Sequence, residues 1–289
     1  MKYSVKIALV FLVSTLCAIT AFALALENKH REFSRTKEKE LRVNLDISFG
    51  SISIKRGEQN TIASVDYNEE DDSKQKLYIS YDISNETGTL YIKLKESTHF
   101  SYDTDDRNGH HRHLDITLGT AIPISFDIEL GAGSGDIDLT ELRVRDVKIS
   151  TGASSVTMKC NRPNPIYADD ITIESGVSKF TAANLSNLNF RSLKFSGGVG
   201  SYKLDFGGKL RQSADVQIEV GLGSITVDVP NTIPAKLVYD DNWLSSFKLD
   251  NDFEKTRSGD YETSDFQDAS KRLTIRLDSG LGSVRVQRK

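Results

Sequence analysis

The sequence predicts an all-β fold: a β-solenoid-like stack of short strands with Gly-x-Gly corners, preceded by an N-terminal strand region. Three observations predict it. First, an apolar strand, a glycine corner, a small hydroxyl residue and a second alternating strand recur along the chain, most clearly in Val220–Val227, VGLGSITV. Second, from Ser154 onward the third corner position recurs at Ser178, Gly200, Gly223 and Ser245, in steps of 24, 22, 23 and 22 residues. Two short strands and their turns fill that length, one coil of a solenoid. Third, an apolar residue stands seven positions before each apolar residue after the corner. The pairs are Leu45/Ile52, Leu130/Ile137, Ile149/Val156, Ile173/Phe180, Phe195/Tyr202, Ile218/Ile225 and Leu277/Val284, and only Asp240 before Phe247 breaks the rule. Side chains alternate with period two along a strand, so an odd offset brings both residues to one core only if the corner bends or bulges the chain. Glycine supplies the backbone angles for this. The corner glycines read in this way are Gly50, Gly135, Gly152, Gly176, Gly200, Gly223 and Gly282.

The elements follow in order. Lys2 and Lys6 precede an apolar run from Ile7 to Leu26, with small residues that offer cleavage after Ala23 or Ala25. Residues 1–25 read as a secretory signal peptide, or as an anchor if uncleaved. Either way the rest is expected outside the cytoplasm: in the periplasm, on the cell surface or secreted. Residues 26–40 are mixed in charge and read as a linker. An N-terminal β region over 41–121 holds strands at Leu41–Ile54, Thr61–Tyr67, Lys76–Ile83, Thr89–Leu94 and Leu114–Leu118. A hairpin turn is expected at Asn85-Glu86-Thr87-Gly88, and a polar loop at 95–113. The repeat domain is expected over 122–289. In it Leu139, Leu142, Leu185 and Leu188 pack into the coil interior from return segments. Trp243 reads as packed in a corner, with an exposed aromatic platform as the alternative, Asn251–Asp268 is a polar loop, and the final strands at Arg272–Leu277 and Ser283–Gln287 close the sheet.

The segment VGLGSITVDVPNTIPAKLVYDDNWLSSFKLDNDF, with RLTIRLDSGLGSVRVQRK after it, resembles the toast-rack family. It is also similar to the C-terminal domain of LiaF-type cell-envelope stress proteins and to adhesin-like β-solenoid domains. IELGAGSGDIDLTELRVRDVKISTGASSVTM resembles earlier repeats of the same family, so the resemblance spans about 122–289. It implies an extracytoplasmic solenoid-like domain and brings no catalytic residues.

Composition narrows the function. The formal net charge is −4, and becomes −6 once residues 1–25 leave with two lysines and no acid. An acidic domain is a poor partner for nucleic acid or an anionic membrane. Membrane attachment would come only through the N-terminal segment. Cys160 is the one cysteine beyond that segment, so no intramolecular disulfide is expected, and it reads as a small, partly buried side chain.

Three of the five histidines, His110, His111 and His113, lie among aspartates in the polar loop and are weak candidates for a metal site. The spacing fits no standard zinc pattern, and Arg107 breaks the calcium-loop order. The glycine corners precede strands, where a phosphate loop needs a helix. Asp136, Asp138, Glu174, Glu219 and Asp228 invite comparison with solenoid glycosidases, but read as lying in different repeat columns, with no paired acid and base. Ser53, Asp138, Thr157, Thr181, Lys203, Thr226, Lys248 and Arg285 would form an exposed ladder, suited to solvent and able to bind glycan or protein. The sequence thus predicts a non-enzymatic envelope module without cofactor, its partner an envelope protein or glycan, with roles in stress sensing or adhesion. The alternative is a glycan-active or glycan-binding solenoid.

Overall fold

The computed structural model describes residues 29–68, 75–96, 113–239 and 245–289. Among these described residues sixteen strands form one open sheet. They are β1 (Lys29–Ser34), β2 (Glu40–Arg56), β3 (Thr61–Asn68), β4 (Gln75–Ser84), β5 (Thr87–Glu96), β6 (His113–Leu118), β7 (Pro123–Asp138), β8 (Arg143–Lys159), β9 (Ala168–Ala183), β10 (Phe190–Asp205), β11 (Ala214–Val229), β12 (Ala235–Tyr239), β13 (Ser245–Leu249), β14 (Phe253–Lys255), β15 (Tyr261–Thr263) and β16 (Leu273–Arg288). Seven long parallel strands stack in the order β2, β7, β8, β9, β10, β11, β16. Each runs unbroken through its corner, where the sequence suggested two short strands.

The odd seven-residue offset is resolved at the corner as expected. Between β10 and β11, Gly197 pairs with Val220 and Val199 with Leu222, which leaves Gly198 and Gly221 out of the ladder. One skipped residue per strand switches the inward parity. Phe195 and Tyr202 are both buried, as are Ile218 and Ile225. All seven apolar pairs lie in one continuous core that includes residues on both sides of position 121.

Register corrects the corner assignment in one strand. Gly50, Gly133, Ser154, Ser178, Gly200, Gly223 and Gly282 share a row, so the corner glycine of β7 is Gly133, not Gly135. Gly135 lies two residues on, in the core row between Ile52 and Val156. The run Gly131-Ala132-Gly133-Ser134-Gly135 contains two overlapping Gly-x-Gly frames, and pairing with β2 selects the first. The exposed ladder accordingly contains Asp136 rather than Asp138. Gly152 and Gly176 belong to the neighbouring, unpaired column with Ser48, Gly131, Gly198, Gly221 and Gly280.

The ends of the stack depart further from expectation. β16 does not close the sheet. It inserts between β11 and a split coil, with β12 on its first half and β13 on its second. Ser245 therefore stacks on Gly282, although Gly223 is the corner before it in sequence. The other end repeats the arrangement: β2 lies between β7 and a split coil made of β5 and β6. Antiparallel strands cover the split coils. β4 lies on β5, and β3 and then β1 lie on β6, while β15 and then β14 lie on β12. Two segments read as irregular therefore contain strands: β1 lies in the expected linker 26–40, and β14 and β15 lie in the expected polar loop.

The hairpin joining β4 and β5 turns at Asn85 and Glu86, both at positive φ. Where the coils turn back, Leu139, Leu142, Leu185 and Leu188 are buried as expected. Buried asparagines satisfy the return backbone. Asn164 Nδ2 donates to the Val144 and Leu188 carbonyls, and Asn187 Nδ2 donates to that of Cys160. No helix among the described residues is long and apolar enough to cross a membrane.

Candidate functional site

Parallel register turns sequence columns into straight rows across the stack. Three rows at the outer side of the corner form the candidate site. The first consists of Asp46, Glu129, Ser150, Glu174, Ser196, Glu219 and Asp278, on successive strands. The second is the column of glycines left out of the ladder. The third is the middle residue of each corner: Phe49, Ala132, Ala153, Val177, Val199, Leu222 and Leu281. Val177 is 67% exposed, Val199 45%, Leu222 46% and Leu281 51%. An apolar side chain open to water on four neighbouring strands forms a continuous stripe, unlike scattered surface leucines.

The glycines make the surface between these rows bare, and packing requires them. A Cβ at Gly152 would lie 2.3 Å from the Gly131 carbonyl oxygen, and one at Gly280 would lie 2.3 Å from that of Gly221. The result is an open groove of about 610 Å3. Its floor includes Gly131, Gly152 and Gly176, and Asp46, Glu129 and Glu174 stand along one side.

The carboxylates differ in their partners. Asp46 pairs with Lys93. Glu174 accepts a hydrogen bond from Ser150 at 3.4 Å, and Glu219 accepts one from Gln217 at 2.7 Å. In the next row outward, Lys148 is drawn to Asp127 at 3.3 Å and Arg276 to Asp215 at 3.4 Å.

The structure thus brings Glu174 and Glu219 into one row, across Ser196, where the sequence reading had separated them. It adds Asp46, Glu129 and Asp278, which that reading missed. Asp138 and Asp228 lie elsewhere and have structural partners. Burial would raise the Asp138 carboxyl, but hydrogen bonds from Thr140 and the nearby Lys159 ammonium bring it below the usual range. Asp228 is fully buried, and burial is likewise outweighed, here by Lys289, Gln287 and Lys203.

Of the histidine candidates, His110 and His111 lie outside the described residues, as do Trp243 and the expected export segment. His113 opens β6 and sits 3.2 Å from Asp115. Among the described residues no cluster of three or more His, Cys, Asp or Glu side chains is placed to hold a metal ion. Cys160 is buried. Burial pushes its thiol up to about 12, and it donates to the Arg162 carbonyl, as suits an inert packing residue.

The family model described as the N-terminal domain of toast_rack, DUF2154, matches residues 25–182 and 166–228. The chain belongs to this family. The toast-rack match begins well before residue 122, where the sequence resemblance started, and so takes in β1–β6.

The fold is similar to several solved structures. A candidate cell adhesion protein from Clostridium sporogenes is 16% identical, covers 91% of this chain and 100% of its own, and gives a TM-score of 0.47. A candidate adhesin from Bacteroides fragilis is 14% identical, covers 90% and 97%, and gives 0.38. A candidate lipid binding protein from Parabacteroides distasonis is 10% identical, covers 91% and 95%, and gives 0.28. Comparison with curated proteins finds no match.

Proposed function

We propose that this toast-rack protein is an exported, non-enzymatic adhesion or interaction module of the cell envelope, and that it engages its partner through the outer corner face. The exposed apolar row carries this reading. Four hydrophobic side chains held in line by a parallel ladder keep apolar surface in water, which a binding surface would explain. The export-like residues 1–25 support an extracytoplasmic location. The continuous pairing of β9, β10, β11 and β16 supports a binding role, because backbone already held in a ladder needs little ordering when a partner docks.

The test uses beads coated with the protein and presented to cell-envelope fractions and immobilised matrix glycoproteins. A variant with Val177, Val199, Leu222 and Leu281 all changed to serine should lose attachment while melting like the parent. Attachment unchanged in that variant would refute the reading.

A glycan-active reading has one observation in its favour. Glu219 and Asp278 are direct neighbours across β11 and β16, so their two carboxyl groups stand side by side on one face, as a pair of catalytic carboxylates must. Release of reducing ends from envelope polysaccharides, abolished by Glu219→Gln, would establish it in place of the binding module.

A further inference from the structure

We infer that the occupant of the corner face is a basic amphipathic α-helix, lying along the stack axis across β9, β10, β11 and β16. This rests on the reading of that face as a partner surface and specifies the partner's chemistry. Each of the four strands presents an outward position, an inward residue, a bare glycine and an apolar residue. The sequences are Glu174-Ser175-Gly176-Val177, Ser196-Gly197-Gly198-Val199, Glu219-Val220-Gly221-Leu222 and Asp278-Ser279-Gly280-Leu281. Glycine thus floors a strip, or channel, between carboxylates on one side and aliphatic side chains on the other; the open groove over Gly131, Gly152 and Gly176 runs into it at β9 and Ser196.

Spacing selects a helix. Paired strands lie about 4.8 Å apart, so Val177 to Leu281 spans about 14 Å in three steps. A helix rises about 5.4 Å per turn, so one apolar residue per turn tracks this row across the four strands with little accumulated mismatch. Glu174 and Glu219 are two strands apart, about 9.6 Å, close to the roughly 10.5 Å between helix residues seven apart. A lysine or arginine recurring every seventh residue, on the flank of an apolar face, would meet them in turn. The glycine floor lets the helix surface approach the sheet with no side chain beneath it.

Charge selects the sign. Among the described residues, Glu174 and Glu219 accept hydrogen bonds only from the neutral side chains of Ser150 and Gln217, and Asp278 beside Glu219 has no ion pair, while Lys148 and Arg276 in the next row are turned to Asp127 and Asp215. Lys194, the remaining cation of that row on these strands, stands between Thr172 and Gln217, diagonal to Glu174 and Glu219 rather than directly opposite either. A second copy of the chain, net acidic like the first, would approach against net repulsion, and an anionic lipid surface would be repelled by the carboxylates.

The experiment uses the full chain and a capped synthetic helix of about sixteen residues, with leucine every third or fourth position and lysines seven apart on the flank of that face. Fluorescence anisotropy should show saturable binding that weakens as salt rises. Glu174→Gln and Glu219→Gln should each weaken it about two- to fivefold, as exposed ion pairs do. Leu222→Ser should weaken it about tenfold through lost apolar burial. A peptide with glutamate for lysine, a proline-broken peptide and anionic vesicles should all bind at least tenfold more weakly. Equal binding of the proline-broken peptide, indifference to the two glutamine changes, or preference for vesicles would each overturn the inference. If bead attachment still depends on the apolar row while the helix fails to bind, the partner-surface reading stands and only the helix falls.

Discussion

Gly223→Ala should destabilise the protein by several kcal/mol, and two separate causes can be worked from the structure. Gly223 has φ 131°, a region costly for any residue with a Cβ. Strain of this kind costs about 1–3 kcal/mol. A Cβ there would also sit 1.9 Å from the Gly200 carbonyl oxygen, on the strand below. Relief needs a shift of more than an ångström in backbone paired on both sides, to β10 and to β16. Overpacking without such freedom adds about 1–3 kcal/mol, so the total is about 2–6 kcal/mol, with Gly223→Val at the upper end or beyond. Gly259→Ala is the control. Its φ is 96°, but nothing lies within 4 Å of its Cβ position, so it reports backbone strain alone. Ser245→Ala in the split end coil should cost only about 1 kcal/mol, the hydrogen bond its hydroxyl shares with Tyr239 at 2.7 Å. Equilibrium urea unfolding of the variants, followed by circular dichroism, measures the differences. If Gly223→Ala costs no more than Gly259→Ala, the close approach between stacked corners contributes nothing and the reasoning fails.

Three further outcomes are expected. Glu38 is 1% exposed, and although burial raises its carboxyl, hydrogen bonds donated to it by its own backbone N–H, by Thr36 and by Tyr81 outweigh this and hold it at about 2. A carboxyl depressed in the folded state stabilises above its unfolded value near 4.5 and loses that stabilisation as pH falls toward 2, so Glu38→Gln should remove about 3 kcal/mol of acid-dependent stability over that window. Urea midpoints between pH 2 and 6 will show whether the difference between parent and variant closes as pH falls, as required. A chain ending at Ser270 should fail to fold alone and recover strand dichroism when a peptide of residues 271–289 is added, because β16 fills a slot between β11 and the β12/β13 coil; folding without the peptide would refute that dependence. Amide exchange should be slow in the middle of β16, which has neighbours on both sides, and fast in β13, which among the described residues pairs only with β16; equal exchange in the two would contradict the observed strand order.

The architecture was legible because the corner repeats and its parity is odd. Leu45 with Ile52 and Ile218 with Ile225 can share a core only around a bent strand, and the structure bends it there. Strand order at the ends was not legible. The Trp243–Leu249 segment follows β11 at the usual step, and nothing local shows that β16 will take the place between them. β1 escaped notice because its sequence, Lys-His-Arg-Glu-Phe-Ser, has no apolar alternation; it is an edge strand held by backbone pairing to β3. The two-residue ambiguity in β7 hid one member of the acidic row: with Gly135 taken as the corner, Gly131 stands in line with Asp46 and Glu129 drops out, until pairing places Gly133 opposite Gly50. Glu174, Glu219 and Asp278 stand four residues before Ser178, Gly223 and Gly282 in either frame, so that part of the row is legible in the spacing alone. The signal was nevertheless present in sequence, since the middle residue of each corner is apolar and the residue two before each first corner position is Asp, Glu or Ser.

The glycines that let the coils stack also expose the groove, so structure and candidate site share a cause. A carbonyl oxygen presses on each first-column glycine from the neighbouring strand, at 2.9 Å from a notional Cβ at both Gly198 and Gly221. These two lack the positive φ of Gly223, so alanine there asks mainly for a small shift of the neighbouring carbonyl. The methyl would also stand in the channel between the carboxylate and apolar rows. A repeat under selection for stacking alone would leave this strip bare without any partner. What stacking does not require is the pair of rows beside it: aliphatic side chains kept in water on one side, and on the other a line of carboxylates of which Asp46 pairs with Lys93 while Glu174 and Glu219 accept hydrogen bonds from the neutral Ser150 and Gln217. Those rows, rather than the glycines, distinguish a binding surface from a well-packed corner, and their side chains can be replaced without touching the core.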